Sequence, residues 1–429
     1  MSDNTAIEDL PPWNERVKFS DQGGGFAYVP NRAFVRQSAS DVELETVDFN
    51  TFAAEGETIN VDGEPTPGFR RIVGNFDVIR VVAQLRAGGF DAQPDHVLFA
   101  HGTTCCCGPH PAAPFDPWYM ANPVHANPVH ANSFYANSAD PNGPSRSSAR
   151  PADQPSWFTG SANAGRQATP RVVVLDTGLA HTDDLPDLLS NALAVTASAG
   201  SVDRPDFDGD RWLDPVAGHG TFIAGIIERI APGCAIDIVR VLHWQGDGNE
   251  STIVETIDQI ALGQNPPAFL NLSFGGYVWE RAPMLSAAVL RAQQHGIVVV
   301  ASAGNDGTCR PSYPAAIPGV VSVGAIGPDG PAWFSNYGGW VRACAPGVDV
   351  VSSFFKLFDG LEPPSGGRDI DRFASWATWS GTSFAAPAVI GALVQEMRLF
   401  RCSPTKAVER VIDASWLGRI PGLGTVVNV

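Results

Sequence analysis

From Pro170 to the C-terminus, short and almost wholly apolar runs alternate with longer amphipathic stretches, and this alternation limits the fold more than any other feature of the 429 residues. Arg171-Val172-Val173-Val174-Leu175 is apolar at nearly every position rather than at every second one, so both faces of that strand have to be covered. A helix is expected through Phe222, Ile223, Ile226 and Ile227, ending before Pro232-Gly233. A strand over 236–242 follows, then a helix opened by a capping box at Thr252 and Glu255 and closed by Gly263. A strand over 268–272, a helix with Pro283 in its first turn and Gly296 past its end, and a strand over 297–301 continue the pattern. Strand and helix in this order predict an α/β fold of three layers, a mainly parallel sheet with helices on both faces. In such sheets the ligand site lies outside the carboxyl ends of the strands.

Upstream, residues 1–25 are polar, run into Gly23-Gly24-Gly25 and are expected to form a flexible arm. Over 26–102 the pattern predicts a small α+β domain. Phe26-Ala27-Tyr28-Val29 and Ala33-Phe34-Val35 suggest a strand or strand pair around Pro30-Asn31. Asp77 is placed to cap a helix whose Val78, Val81, Val82 and Leu85 share one face, closed by Gly88-Gly89. Residues 90–100 suggest a turn and a strand. Over 103–165 no period of 2 or 3.6 persists and Pro, Ala, Asn and Ser dominate, which predicts a long irregular linker. It carries Cys105-Cys106-Cys107 with His101, His110, His125 and His130, a ligand set for zinc or copper whose adjacent cysteines do not match the spacing of structural zinc sites. Metal binding and an inert tether both remain open for it.

The balance of 28 Lys+Arg against 45 Asp+Glu, a formal charge of −17, argues against nucleic acid or an anionic membrane as partner. The longest apolar runs fall short of the about 20 residues of a membrane-spanning helix. The acidic start, Met1-Ser2-Asp3-Asn4, lacks a secretion signal's basic and apolar regions, so the expected location is cytoplasmic, or outside the cell by a route without a classical signal peptide. Seven cysteines, an odd number, cannot all pair within the chain.

Four motifs carry chemistry. Asp176-Thr177-Gly178 follows a strand, Gly218-His219-Gly220-Thr221 opens a helix, Ala301-Ser302-Ala303-Gly304-Asn305 ends a strand, and Trp379-Ser380-Gly381-Thr382-Ser383-Phe384-Ala385-Ala386-Pro387 opens the last long helix. The last predicts a helix opening at Ser383, with Pro387 inside its first turn. A serine hydroxyl is a weak nucleophile until a neutral imidazole takes its proton, and the imidazole needs a buried carboxylate to fix its tautomer. A side-chain amide supplies a donor to a developing oxyanion.

In the chain order Asp, His, Asn, Ser, these motifs resemble those of the subtilisin-like serine peptidases, the subtilase family. The resemblance covers about 166–429 and includes Leu270-Asn271-Leu272-Ser273-Phe274-Gly275-Gly276, similar to the family's substrate-binding strand. It implies a subtilisin-like fold over 166–429 and a serine endopeptidase acting on polypeptides through an acyl-enzyme. By the same resemblance Ser383 is the nucleophile, His219 the general base, Asp176 the orienting carboxylate and Asn305 the oxyanion donor, with Ser273 and Gly275 contacting substrate through backbone. Ala388 stands where the family usually has histidine, and Phe384 where it commonly has methionine.

The resemblance implies no cofactor for catalysis, with structural calcium as an option. Asp203, Asp206, Asp208, Asp210 and Asp214 resemble the start of a calcium loop without its closing glutamate, so a solvated acidic loop is an equal reading. Asp187 is a further candidate ligand. Residues 92–100 resemble the last strand of the propeptide inhibitors that precede subtilase catalytic domains, which implies an intramolecular inhibitor or chaperone over 26–102. The competing function is a non-catalytic or latent binding or regulatory protein on the same fold.

Overall fold

A computed structural model of the chain describes residues 13–36, 47–100, 150–152, 170–190, 192, 194–360, 372–414 and 418–429. The Cys105-Cys106-Cys107 and histidine cluster lies outside the described residues. Along the chain come β1 (Lys18–Ser20), β2 (Phe26–Arg36), β3 (Thr58–Val61), β4 (Phe69–Asn75), α1 (Val78–Ala87) and β5 (Asp91–Ala100). Then follow β6 (Arg171–Asp176), α2 (His219–Ile230), β7 (Ala235–Arg240), α3 (Glu250–Ala261), β8 (Phe269–Leu272), β9 (Phe274–Gly275), α4 (Pro283–Gln294) and β10 (Val298–Ser302). The last are β11 (Val321–Gly327), β12 (Ala343–Pro346), β13 (Val350–Ser353), β14 (Trp376–Trp379), α5 (Thr382–Phe400) and β15 (Gly424–Val426). The alternation expected from the sequence is present, with boundaries moved by one to three residues. Two compact units emerge: Met1–Leu98 with Gly248–Gln264 and Gly276–His295, and Phe99–Asp247 with Asn265–Gly275 and Gly296–Val429.

In the first unit β2 pairs antiparallel with β1, β4 and β5, and β4 with β3. The strand or strand pair expected around Pro30-Asn31 is one 11-residue strand, irregular between Tyr28 and Ala33, where Asn31 adopts a φ of 61°. A bulge lets both halves pair with β5 and gives Pro30 a place where no ladder donor is needed. Asp77 accepts from the Arg80 amide at 3.0 Å, and α1 buries Val78, Val81, Val82 and Leu85 against Phe26, Ala33, Val35 and Ile72. Each such side chain contributes about 1.5–3 kcal/mol on burial, so truncating Leu85 to alanine costs about 2–5 kcal/mol.

The same unit contains α3 and α4, and β5 supplies the groups their first turns lack. Asp95 accepts from the Ser251 amide at 3.0 Å and the Ser251 hydroxyl at 2.8 Å. Gln93 accepts from the Met284 amide at 3.1 Å, and Glu250 from the Leu285 amide at 3.0 Å. The capping box expected at Thr252 and Glu255 is therefore not the start of α3, which begins at Glu250 with Asn249 as its cap residue and no side-chain cap bond from it. The amide of the first turn is met by Asp95, 156 residues away, a partner that local spacing cannot reveal.

In the second unit a parallel run of strands lies in the order β15, β12, β11, β10, β8, β6, β7, with Val195–Ala197 beyond β7. Strands after β6 go to one side through β7 and to the other through β8, so the order reverses between β6 and β8. Crevices at the carboxyl ends of strands on either side of such a reversal are where α/β sheets bind ligands. Asp176 ends β6 and Ser273 follows β8. Helices α2 and α5 share one buried apolar cluster with β6, β7, β11 and β12. Among the described residues no helix is long and apolar enough to cross a membrane.

Candidate active site

Asp176 and His219 meet with both side chains fully buried. Asp176 Oδ1 accepts from the Thr177 amide at 2.8 Å and from His219 Nδ1 at 2.8 Å. A carboxylate only accepts, so Nδ1 carries the proton and Nε2 presents a lone pair. Among the described residues Asp176 Oδ2 and His219 Nε2 have no hydrogen-bond partner. His219 is the first residue of α2, and the turn before it uses Gly218 at φ 76°, where a Cβ would lie 2.4 Å from the Phe354 ring. A Cβ on Gly220 would lie 2.2 Å from the Gly178 carbonyl, so the loop after Asp176 and the first turn of α2 can approach only with glycine there. The imidazole is walled by Trp379, edge-on at 5.5 Å between centroids, and by Phe384 at 5.4 Å.

Ser383 occupies the second position of α5 and is fully buried. Its hydroxyl donates to the Ser273 carbonyl at 2.8 Å, while the Ser273 hydroxyl donates back to the Ser383 carbonyl at 3.0 Å. The structure thus joins Asp176 to His219 and Ser383 to Ser273, and the Ser383 hydroxyl is not bonded to His219 Nε2. The helix starts at Thr382, one residue before the expected Ser383, and Pro387 sits in its second turn rather than its first. Pro387 lacks the N–H that would bond to the carbonyl four residues back, which is that of Ser383. The Ser273 hydroxyl fills this vacancy and is itself held by Asn271 Nδ2 at 2.9 Å. A proline that breaks the local rule is compatible with the helix because a residue 110 positions away supplies the donor.

Asn305 Oδ1 accepts from the Thr382 amide and the Thr382 hydroxyl, both at 2.9 Å. Its oxygen end is thus committed to the two Thr382 donors, which fixes the orientation of the side-chain amide. β9 pairs antiparallel with the last two residues of β5: Phe274 opposite Ala100 and Gly275 opposite Phe99. The Ala100 amide donates to the Gly246 carbonyl at 2.8 Å.

One carboxylate near this site has a place that its spacing did not give. Asp203, which the sequence grouped with the acidic loop, accepts instead from the Thr177 hydroxyl at 2.7 Å, the Gly218 amide at 2.9 Å and the Arg204 amide at 2.9 Å. Burial pushes its carboxyl up to about 6, Arg240 and these donors pulling the other way and Asp176 adding to the rise. The hydroxyl in Asp176-Thr177-Gly178 was the available signal. Asp206, Asp208 and Asp210 do lie together, their oxygens within 4.8 Å of one another, whereas Asp214 is buried and accepts from the Phe207 amide at 2.7 Å. Burial first, then Asp208, Asp206 and Asp203, raise Asp214 to about 9. Asp187 begins a short helix, Asp187–Ser190, and is not one of the clustered carboxylates.

The sequence profile of the subtilase family matches residues 168–411. The chain is 32% identical over 283 residues to a thermophilic serine proteinase of Bacillus sp. (strain AK1), covering 63% of this chain and 61% of that one. It is 32% identical over 247 residues to subtilisin DY of Bacillus licheniformis, covering 54% and 77%. A crystal structure of a cold adapted subtilisin-like serine proteinase matches with a TM-score of 0.46 at 26% identity, over 60% of this chain and 86% of that one. The chain thus spans less than two thirds of the first relative's length.

Proposed function

This chain belongs to the subtilase family, and on that footing we propose that it is a serine endopeptidase that hydrolyses polypeptides through an acyl-enzyme. The observation that carries the reading is the buried Asp176–His219 hydrogen bond with an unclaimed Nε2, set beside a serine at the start of a buried helix. Ser383 Oγ attacks the scissile carbonyl as His219 Nε2 takes its proton, and Asp176 stabilises the imidazolium. The oxyanion is met by Asn305 Nδ2 and by the Ser383 amide, one of the first-turn donors that an α-helix leaves unpaired. His219 returns the proton to the departing amine, and water then attacks the ester by the same route. A rotation of the Ser383 side chain, from the Ser273 carbonyl to Nε2, starts this sequence.

The N-terminal sheet supports the reading of residues 26–102 as an inhibitor in cis. Phe99 and Ala100 lie antiparallel on β9, the strand that resembles the family's substrate-binding strand, in the manner of strand addition. Ala100, which faces Phe274, is the last described residue of this stretch, and the processing point is expected in the segment that follows it. Asp206, Asp208 and Asp210 would hold a structural calcium ion, since three clustered carboxylates suit a hard cation, with no part in bond cleavage.

Intact-mass measurement of the purified protein beside its Ser383→Ala form tests the proposal. Cleavage beyond Ala100 in the first and an uncut chain in the second are expected. An uncut wild type that also leaves casein intact after limited proteolysis of 101–149 contradicts the peptidase reading.

A further inference from the structure

We propose that Asp203 is a positioning residue for the Asp176–His219 pair, tying the loop that carries one to the turn that carries the other; the inference rests on the peptidase reading above. A short parallel bridge, Val202 to Leu179 and Asp203 to Ala180, brings the residue beside the Asp176 loop. Its Oδ2 atom accepts from the Thr177 hydroxyl and the Gly218 amide, one residue after Asp176 and one before His219. Thr177 Oγ in turn accepts from the Gly220 amide at 3.2 Å, and the Thr177 amide donates to the Asp176 oxygen that holds His219 Nδ1. One buried oxygen thus bridges backbone on both sides of a 2.8 Å hydrogen bond whose partners lie 43 residues apart.

Geometry separates this role from cation binding. Asp203 Oδ2 is committed to Thr177 and Gly218 and Oδ1 to Arg204, and the clustered carboxylates beyond it are Asp206, Asp208 and Asp210. An acceptor is required at that oxygen: alanine at 203 removes it, whereas asparagine can keep it by turning its amino group toward the Arg204 amide instead. Loss of the bridge lets the turn before His219 shift relative to Asp176, and displacements of about 1 Å in a catalytic constellation cost on the order of a hundredfold in rate.

The test compares wild type, Asp203→Ala, Thr177→Val and Thr177→Ser on a chromogenic peptide, after counting reactive sites with a fluorophosphonate. Per reactive site, kcat is expected to fall about 10- to 100-fold in Asp203→Ala and Thr177→Val with KM within about twofold, and Thr177→Ser, which keeps the hydroxyl, to recover most of it. A variant that only folds less well yields fewer reactive sites at unchanged kcat per site, and that result overturns the inference. So does a loss confined to KM. A wild type that takes up no fluorophosphonate defeats the peptidase reading itself, an outcome distinct from these.

Discussion

Two clusters of buried polar side chains, one in each unit, are built from the same residue types and finished differently. In the first unit Gln93, Asp95, His96 and Glu250 are all fully buried. Glu250 accepts from the Leu285 amide, from Gln93 Nε2 at 2.9 Å and from His96 Nδ1 at 2.6 Å, and His96 Nε2 accepts from the Trp279 amide at 3.1 Å. Every carboxylate and imidazole atom there has a partner. In the second unit Asp176 Oδ2 and His219 Nε2 have none among the described residues, and the Ser383 hydroxyl is paired with the Ser273 carbonyl. Unmet buried groups are expensive, so a fold retains them where something else is to bind, whereas a cluster that only holds structure together is satisfied throughout. Both contain a histidine bonded to a carboxylate, and on the proposed peptidase reading the second is the one that does chemistry.

The largest effect that could break this contrast is on turnover. Ser383→Ala is expected to cut the casein hydrolysis rate by about a millionfold, a magnitude carried over from subtilisin, while thermal unfolding shifts little. In the first unit the ranking reverses. Glu250→Ala strips three donors of their acceptor and should destabilise that unit by about 3–5 kcal/mol in a denaturant melt, yet leave hydrolysis by protein already freed of its N-terminal segment by cleavage beyond Ala100 within a few fold. Equal losses of activity from both substitutions would erase the distinction.

The contrast was only half visible in the sequence. Asp176, His219, Asn305 and Ser383 each sit in a short motif of glycine and small residues, because a side chain held at a strand end or helix start needs tight backbone on either side of it. The strand and helix alternation was legible for the same local reason. The capping of α3 and α4 by β5 was not, nor was Pro387 in a second turn, because each depends on a donor or acceptor more than a hundred residues away. Asp203 was assigned by spacing to an acidic loop, and tertiary contacts with Thr177 and Gly218 decide otherwise.

Two smaller effects sharpen the picture. Burial raises the Glu228 carboxyl to about 7, although both its oxygens accept from the Gly233 amide. A folded-state value above the unfolded one means that its contribution to stability is complete below the ordinary carboxylate range and is lost as pH rises through 7. Melts from pH 5 to 8 should show a loss of at most about 3 kcal/mol that Glu228→Gln lacks. Ser273→Ala leaves the Ser383 carbonyl without its donor, for about 1 kcal/mol in the same assay, and a Pro387→Ala change beside it should recover part of this by restoring the helical N–H.

The most direct measurement is the site of covalent attachment of a fluorophosphonate to the protein after cleavage beyond Ala100, read by peptide mass mapping. One adduct per chain on Ser383, slowed by several orders of magnitude in His219→Ala, is the result expected of a hydroxyl activated by that imidazole. Attachment elsewhere, or on Ser383 at the same rate without His219, contradicts it.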